Sequence, residues 1–431
     1  MQVQRQPQML RHPALGRPRH RIRAAIIARP ALANSPWTDD RHDAPPLPLP
    51  ALTALKTVTI VRHGQSTWNA ESRVQGSSDQ SVLTDKGIAQ ARATAAMLAG
   101  QHFDCMFYSP LARAAQTADL VWAGREVPRV SLTLLREIDL YTFQGLLKAD
   151  IKASYPAEYT TWQQQPDQFQ LMGHYPVREM WYRASLAWHR MLGSDFAWTT
   201  GLVVAHNNTN QALVATALGL PCTMVRRLVQ SNAAVSSLLL RPGEQQDQPP
   251  LVQLQCLNQS RDSPYRGGSK ATGYVTLCLA SPSTAHCQAV AQVLGGSEVH
   301  LVLTAPGESS STWAACLGQQ PPAGQPPAAR PLTVEECCVS SQADLAATWH
   351  QAVHAVARRP GSNVVVLVDS PAAVAGLLCA ALGLNPDSQA RLFAATPGGL
   401  TVLEVPAPPH SSAGIAKCIN NTAHLETALE G

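Results

Sequence analysis

The stretch T-V-T-I-V-R-H-G-Q-S-T-W-N, Thr57 to Asn69, decides how this chain is read. Val58, Thr59, Ile60 and Val61 form a β-branched apolar run of the kind that makes a buried strand. The run delivers Arg62 and His63 side by side onto a turn at Gly64. A guanidinium grips phosphate oxygens in a fork, an imidazole nitrogen attacks phosphorus, and a glycine lets the backbone come close. Ser66, Thr67 and Asn69 follow with polar groups able to face the same oxygens. A lone histidine at a strand end is commonly just packed there. An arginine beside it at a buried strand end calls for an anion.

Working outward, strands and helices alternate. Thr84 or Asp85 suits the N-cap of a helix in which Ile88, Ala91, Ala95 and Leu98 recur at helical spacing up to Gly100. Residues 103–108 read as a strand, Pro110 as a first helical turn, and 112–122 as the helix that follows. Residues 144–200, rich in Gln, Trp and Tyr, are expected to be helices and loops inserted over the site. Leu202 to Ala205 read as a strand, followed by His206 and a helix from about Thr209 to Leu218. Strands over 233–240 and 251–257 complete an α/β layered fold.

The chain then repeats itself. Ala217-Leu218-Gly219-Leu220 recurs as Ala381-Leu382-Gly383-Leu384, Cys256-Leu257-Asn258-Gln259-Ser260 as Cys418-Ile419-Asn420-Asn421-Thr422, and Val58-Thr59-Ile60 as Val275-Thr276-Leu277. In these registers Arg62 and His63 become Leu279 and Ala280, and His206 becomes Ser370. Ser109-Pro110 matches Ala305-Pro306, with no arginine where Arg113 would fall. The expected organisation is a transit-like and disordered Pro-rich segment over 1–55, a catalytic domain over 56–262, a linker over 263–272, and a degenerate, inactive copy over 273–427. Residues 307–331, rich in Pro, Gln and Ala, read as a floppy loop.

At 431 residues the chain has room for two cores, and with 45% hydrophobic and 14% charged residues it is of the globular class. No apolar run is long enough to span a bilayer. The formal charge of +4 is misleading, because seven of the 33 basic residues, all arginine, lie in the first 38 positions with no acid. The remaining 26 basic residues face 29 acidic ones, so nothing favours a nucleic-acid partner for the body of the protein. The Arg-rich, acid-free start reads as an organellar transit peptide, or else a disordered basic tail, with cleavage expected before Lys56. The ten cysteines show no metal-like spacing and are expected to be buried thiols, the adjacent Cys337 and Cys338 included.

Hydrolysis of a phosphate monoester needs a nucleophile, a cationic cage and an acid for the leaving oxygen. His63 is the candidate nucleophile, and Arg62 and Arg113 the candidate cage. A protonated His206, at the mouth of a helix whose free N–H groups favour an anion, would bind an equatorial oxygen. Parallel pairing of strands 57–61 and 202–205 would bring both histidines to one phosphorus. For the acid, Glu137 in Leu135-Arg136-Glu137-Ile138-Asp139 sits between apolar neighbours that can raise a carboxyl pKa, and Asp139 is its rival. Arg73, Gln75, Arg136, His174 and Arg178 are the polar candidates for the rest of a substrate.

Together R-H-G, S-P-L-A-R, L-R-E-I-D and V-V-A-H-N resemble the histidine phosphatase superfamily, whose best-known branch is the cofactor-dependent phosphoglycerate mutases. The resemblance implies a three-layer phosphoglycerate mutase-like fold with a mostly parallel sheet, and a phosphohistidine mechanism. It implies His63 as nucleophile, Glu137 as proton donor, and Arg62, Arg113 and His206 as phosphate pocket, with Asn69 assisting and Gln75 and Asn207 as further substrate-binding candidates. No metal or organic cofactor is implied. V-R-H-G-Q-S-T-W-N, R-V-Q-G-S-S-D-Q-S-V-L-T, L-R-E-I-D-L-Y-T-F-Q-G-L-L-K, G-H-Y-P-V-R-E and the ending C-I-N-N-T-A-H-L resemble, more narrowly, the plant 2-carboxy-D-arabinitol-1-phosphatases. That family implies a chloroplast stromal hydrolase acting on a small anionic sugar phosphate that inhibits ribulose-bisphosphate carboxylase, with neither nucleic acid nor membrane as partner. The alternatives are a phosphatase or mutase for another sugar phosphate, and a non-catalytic regulatory or binding protein. The second half would contact the first or an unknown partner.

Overall fold

The apolar run that opens the motif becomes the central strand of its half of the sheet. The computed structural model describes residues 43–193, 197–260, 271–280, 284–294, 299–304, 333–336, 341–406 and 413–425. The basic segment 1–42, the loop 307–331 and Cys337-Cys338 lie outside the described residues, as does most of the expected linker. Its last two positions, Ala271 and Thr272, belong to a strand. Pairing with the strand ending at Pro406 draws Ala271 into the sheet.

In the first half, β1 (Lys56–Arg62), β2 (Cys105–Tyr108), β3 (Arg129–Ser131) and β4 (Thr200–Ala205) are parallel, and β5 (Val235–Arg241) and β6 (Leu251–Gln259) run antiparallel. Helices α1 (Thr67–Ala70), α2 (Asp85–Met97), α3 (Ala112–Trp122), α4 (Lys148–Ser154), α5 (Pro156–Gln164), α6 (Pro176–Leu192) and α7 (Asn207–Ala217) connect them. Thr84 caps α2, its side chain accepting from the Gly87 N–H. Pro110 lies outside α3, whose N-cap is Leu111.

The segment over 144–200 is more than an insertion over the site. Within it α6 buries Val177, Met180, Trp181, Ala184, Ala187, Trp188 and Met191, spaced three and four residues apart. Its two tryptophans lie in the apolar core, and the Trp188 indole N–H donates to the Leu213 carbonyl at 3.0 Å. This helix is one wall of the core, packed on α7.

The second half repeats the plan with β7 (Ala271–Leu279), β8 (Val299–Thr304), β9 (Thr333–Glu336), β10 (Asn363–Val368), β11 (Leu400–Pro406) and β12 (Ile415–Asn421), and with α8 (Thr284–Leu294), α9 (Gln342–Arg358) and α10 (Pro371–Leu382). The sheet runs β3-β2-β4-β1-β5-β6-β12-β11-β7-β10-β8-β9. Read inward from either end, the two halves give the same order. They meet where β6 and β12 pair antiparallel, Leu257 opposite Ile419, which is the heart of the repeated Cys-Leu/Ile-Asn motif.

One expectation about the first 55 residues is corrected. Part of residues 43–55 is packed, with Leu49 and Leu52 in the core. The Leu47 N–H donates to Ser185 Oγ at 3.0 Å, and His189 Nε2 lies 2.8 Å from the Pro48 carbonyl, both on α6. Alternating Pro and Leu favour an extended, prolyl-stiffened segment that loses little entropy on docking. Six of the described cysteines, 105, 256, 278, 287, 379 and 418, are buried. Burial pushes the thiols of Cys105 and Cys256 up to about 12. Among the described residues no helix is long and apolar enough to cross a membrane.

Candidate active site

Parallel pairing of β1 with β4, Arg62 opposite Ala205, carries both strands to one edge, where His63 and His206 are the next residues. Their ring centroids stand 5.2 Å apart at 61°. His63 is buried, and its Nδ1 lies 2.7 Å from the Gly64 carbonyl. A carbonyl only accepts, so Nδ1 carries the proton and Nε2 keeps its lone pair. Burial, then Arg62 and Arg113, hold this imidazole well below the usual 6.5, so it is neutral and nucleophilic near neutral pH.

Two glycines make the turn possible. A Cβ on Gly64 would lie 2.3 Å from the Gly87 carbonyl oxygen, and one on Gly87 would lie 2.0 Å from that of Gln65. The loop after His63 therefore presses directly on the first turn of α2, with no room for a side chain between.

Arg62 and Arg113 reach the histidines from two sides. Arg62 Nη1 donates to the Gln230 carbonyl at 2.7 Å. Arg113, fully buried on the first turn of α3, donates to the carbonyls of Ser78 at 2.7 Å and Gly76 at 2.8 Å. Burial lowers Arg62 to about 10, opposed by Glu137 and reinforced by Arg113. Such charge is costly to bury unless an anion joins it.

His206 Nε2 lies 2.7 Å from Ser109 Oγ, and its Nδ1 is buried with no hydrogen-bond partner among the described residues. Burial, then Arg113 and His63, hold it well below 6.5. The ring is thus held neutral by its surroundings, and the negative charge of a phosphoryl group would act in the opposite direction, toward the protonated form. The N-terminus of α7 differs from expectation. Its N–H groups receive Glu137, whose Oε2 lies 3.2 Å from the Asn208 N and whose Oε1 lies 3.3 Å from the Thr209 N and 2.9 Å from the Ile138 N.

Asp139, the rival acid, is ion-paired with the buried Arg183 at 3.0 Å and accepts from Ser77 Oγ. The same guanidinium donates to the carbonyls of Arg136 at 3.0 Å and Glu137 at 2.8 Å. Asp139 and Arg183 therefore brace the loop, and Glu137 is the carboxyl left beside Arg62 and Arg113.

Asn69 Oδ1 accepts from Ser66 Oγ at 3.1 Å and from Asn232 Nδ2 at 3.2 Å, and Asn232 also donates to the His63 carbonyl at 3.1 Å. Gln75 accepts from Ser66 Oγ at 2.9 Å, and Asn207 from Gln211 at 3.1 Å. The other polar candidates have structural partners. Arg73 pairs with Glu71, Arg136 lies 3.8 Å from Asp139, His174 pairs with Glu179, and Arg178 bonds the Asp167 carbonyl.

Sequence reasoning passed over Arg183, Ser109, Asn232 and Lys148. Lys148, the last residue of the L-R-E-I-D-L-Y-T-F-Q-G-L-L-K stretch, begins α4. Burial, then the charges of Arg62 and Arg226, lower its ammonium.

In the second half Leu279 pairs with Val368 as Arg62 pairs with Ala205, so Ala280 holds the place of His63. Ser370 is the N-cap of α10 as His206 is of α7, while the strand register falls one residue earlier, on Asp369.

A buried imidazole with a fixed lone pair, a second buried imidazole, the buried Arg113 and the half-buried Arg62 make a set of groups that suits a phosphoryl group. Residues 58–248 match the model of the histidine phosphatase superfamily, branch 1, and the chain belongs to that superfamily. Within it, a 2-carboxy-D-arabinitol-1-phosphatase of Triticum aestivum is 35% identical, over 90% of this chain and 90% of its own. A probable 2-carboxy-D-arabinitol-1-phosphatase of Arabidopsis thaliana is 35% identical over 86% of this chain and 88% of its own. A probable phosphoglycerate mutase of Cronobacter sakazakii is 32% identical over 42% of this chain and 82% of its own. The two plant relatives thus match across both halves, and the bacterial one over an extent close to that of a single half.

Proposed function

We propose that the chain is a plastid phosphatase that removes the phosphate of 2-carboxy-D-arabinitol 1-phosphate, an inhibitor of ribulose-bisphosphate carboxylase. The observation that carries the chemistry is the 2.7 Å contact of His63 Nδ1 with the Gly64 carbonyl, which leaves Nε2 free among Arg62, Arg113 and His206. His63 Nε2 attacks phosphorus, the bond from phosphorus to the sugar oxygen breaks, and protonated Glu137 gives its proton to that oxygen. Water then attacks the phosphohistidine and gives a proton back to Glu137, releasing inorganic phosphate and neutral His63. Arg62, Arg113 and His206 hold the phosphoryl oxygens through both steps, with Asn69, Gln75 and Asn207 at the rim.

A carboxylated sugar phosphate brings a second negative group, and Lys148 is the cation suited to it. The likeness of both plant relatives over nearly the whole chain supports the choice of substrate and a plastid location. Assay of a panel of sugar phosphates tests the proposal. The carboxylated arabinitol phosphate should be preferred, and Lys148→Gln should raise its KM about tenfold while leaving that of p-nitrophenyl phosphate within about twofold. Equal rates on every member of the panel would defeat the specific assignment.

A further inference from the structure

The junction between the halves is built twice from the same parts, and only one copy leads to the phosphoryl pocket. Asn258 and Asn420 both adopt a left-handed backbone, φ 57° and 48°. Each amide reaches across β6–β12: Asn258 Nδ2 donates to the Lys417 carbonyl at 2.5 Å, and Asn420 Nδ2 to the Gln255 carbonyl at 2.7 Å. Each Oδ1 accepts a backbone N–H of its own half, Ser231 at 2.5 Å and Thr396 at 2.8 Å. One residue pair further out, the Val229 N–H donates to the Ala416 carbonyl at 3.0 Å, and the Ala394 N–H to the Leu254 carbonyl at 2.9 Å. Up to this point the two sides are equivalent.

Beyond it they part. On the first side the segment from 229 to 232 ends on the reacting groups. The Gln230 carbonyl accepts Arg62 Nη1, and Asn232 Nδ2 donates to the His63 carbonyl and to Asn69. On the second side Ala395 keeps the backbone carbonyl, but Leu279 stands in the place of Arg62 and cannot donate to it, and Pro397, in the place of Asn232, has no amide.

The geometry points to Asn258 as a positioning residue through which the non-catalytic half holds Arg62 and His63 in register for phosphate. It acts through the strap 229–232, not by touching substrate. This rests on the phosphatase reading above. The pseudo-symmetry supplies its control, because Asn420 makes the same contacts and leads to no pocket.

Glycine accepts a positive φ without strain, so Asn258→Gly and Asn420→Gly each remove one amide and little else. Both variants of the full chain should lose thermal stability to a similar extent. Asn258→Gly should weaken inorganic phosphate binding, read by calorimetry, about tenfold, and should lower kcat more than it raises KM. Asn420→Gly should stay within about twofold of the parent on both. Asn232→Ala, which leaves the junction intact, should reproduce the phosphate effect, and it carries the test if Asn258→Gly does not fold. Equal phosphate affinity in Asn258→Gly and Asn420→Gly, or unchanged affinity in Asn232→Ala, would overturn the assignment. Failure of the substrate reading would look different, since the parent would then turn over no sugar phosphate while phosphate binding still separated the variants.

Discussion

The two halves of this sheet share a strand order and differ in what stands at the ends of their central strands. In the first half β1 ends on Arg62 and His63. In the second, β7 ends on Leu279 and Ala280, and Leu279 is 4% exposed within the apolar core. The scaffold needs only the apolar alternation, the crossovers and the turn residues, and these are present twice. The chemistry needs cations buried with too few anions, an arrangement that costs stability in the absence of ligand. A half that carries leucine and alanine in the same place keeps the fold.

Copying the second half into the first is therefore the most severe way to break the contrast. The variant Arg62→Leu/His63→Ala should lose at least about 10⁴-fold in turnover while melting no lower than the parent. A large drop in melting temperature would show that these residues hold the scaffold as well. Next in size is the acid. Glu137→Gln should cost about 10²–10⁴-fold on a sugar phosphate and far less on p-nitrophenyl phosphate, whose leaving group needs no proton. Equal losses on both substrates would point to a charge role instead.

The brace beneath the acid sharpens the contrast in stability terms. Arg183→Met takes away the nearer of two cations beside the buried Asp139, leaving Arg136 at 3.8 Å, and should destabilise by about 3 kcal/mol in a denaturant titration. Adding Asp139→Leu should recover most of that, because the carboxylate that Arg183 had paired is then gone. The smallest effect is the pH dependence. His63 and His206 are held below 6.5 when folded, so below that pH the unfolded chain binds more protons. Stability should be full above about 6.5 and fall as the pH drops, by at most about 1.4 kcal/mol per unit for each ring. Melting curves of His63→Ala should show a shallower acid slope, and an unchanged slope would mean the rings are not buried neutral.

What could be read in the chain was what depends on neighbours in sequence. Strand β1, helix α3 and the end of β4 follow from β-branched runs and helical spacing, and the parallel pairing of β1 with β4 from the alternation of the elements. The character of α6 escaped because tryptophan, glutamine and tyrosine obscure its buried stripe of Val177, Met180, Trp181 and Trp188. That Asp139 is held in an ion pair could not be read without Arg183, 44 positions away from it. Lys148 lay in a quoted motif, yet its approach to Arg62 depends on how α4 folds back, which spacing does not report. Residues 43–55 looked like a tail because proline and leucine alternate after Asp43, and spacing does not report the hydrogen bonds that tie Leu47 and Pro48 to Ser185 and His189 on α6.

Trapping the phosphoenzyme tests the central claim most directly. Protein mixed with ³²P-labelled substrate and quenched within milliseconds should carry an acid-labile, base-stable label on the peptide containing His63, and none on peptides from 271–425. The label should vanish in His63→Ala and accumulate when water attack is slowed by Glu137→Gln on a substrate that needs no acid. Turnover with no labelled histidine, or a label on any residue of the second half, would contradict the account.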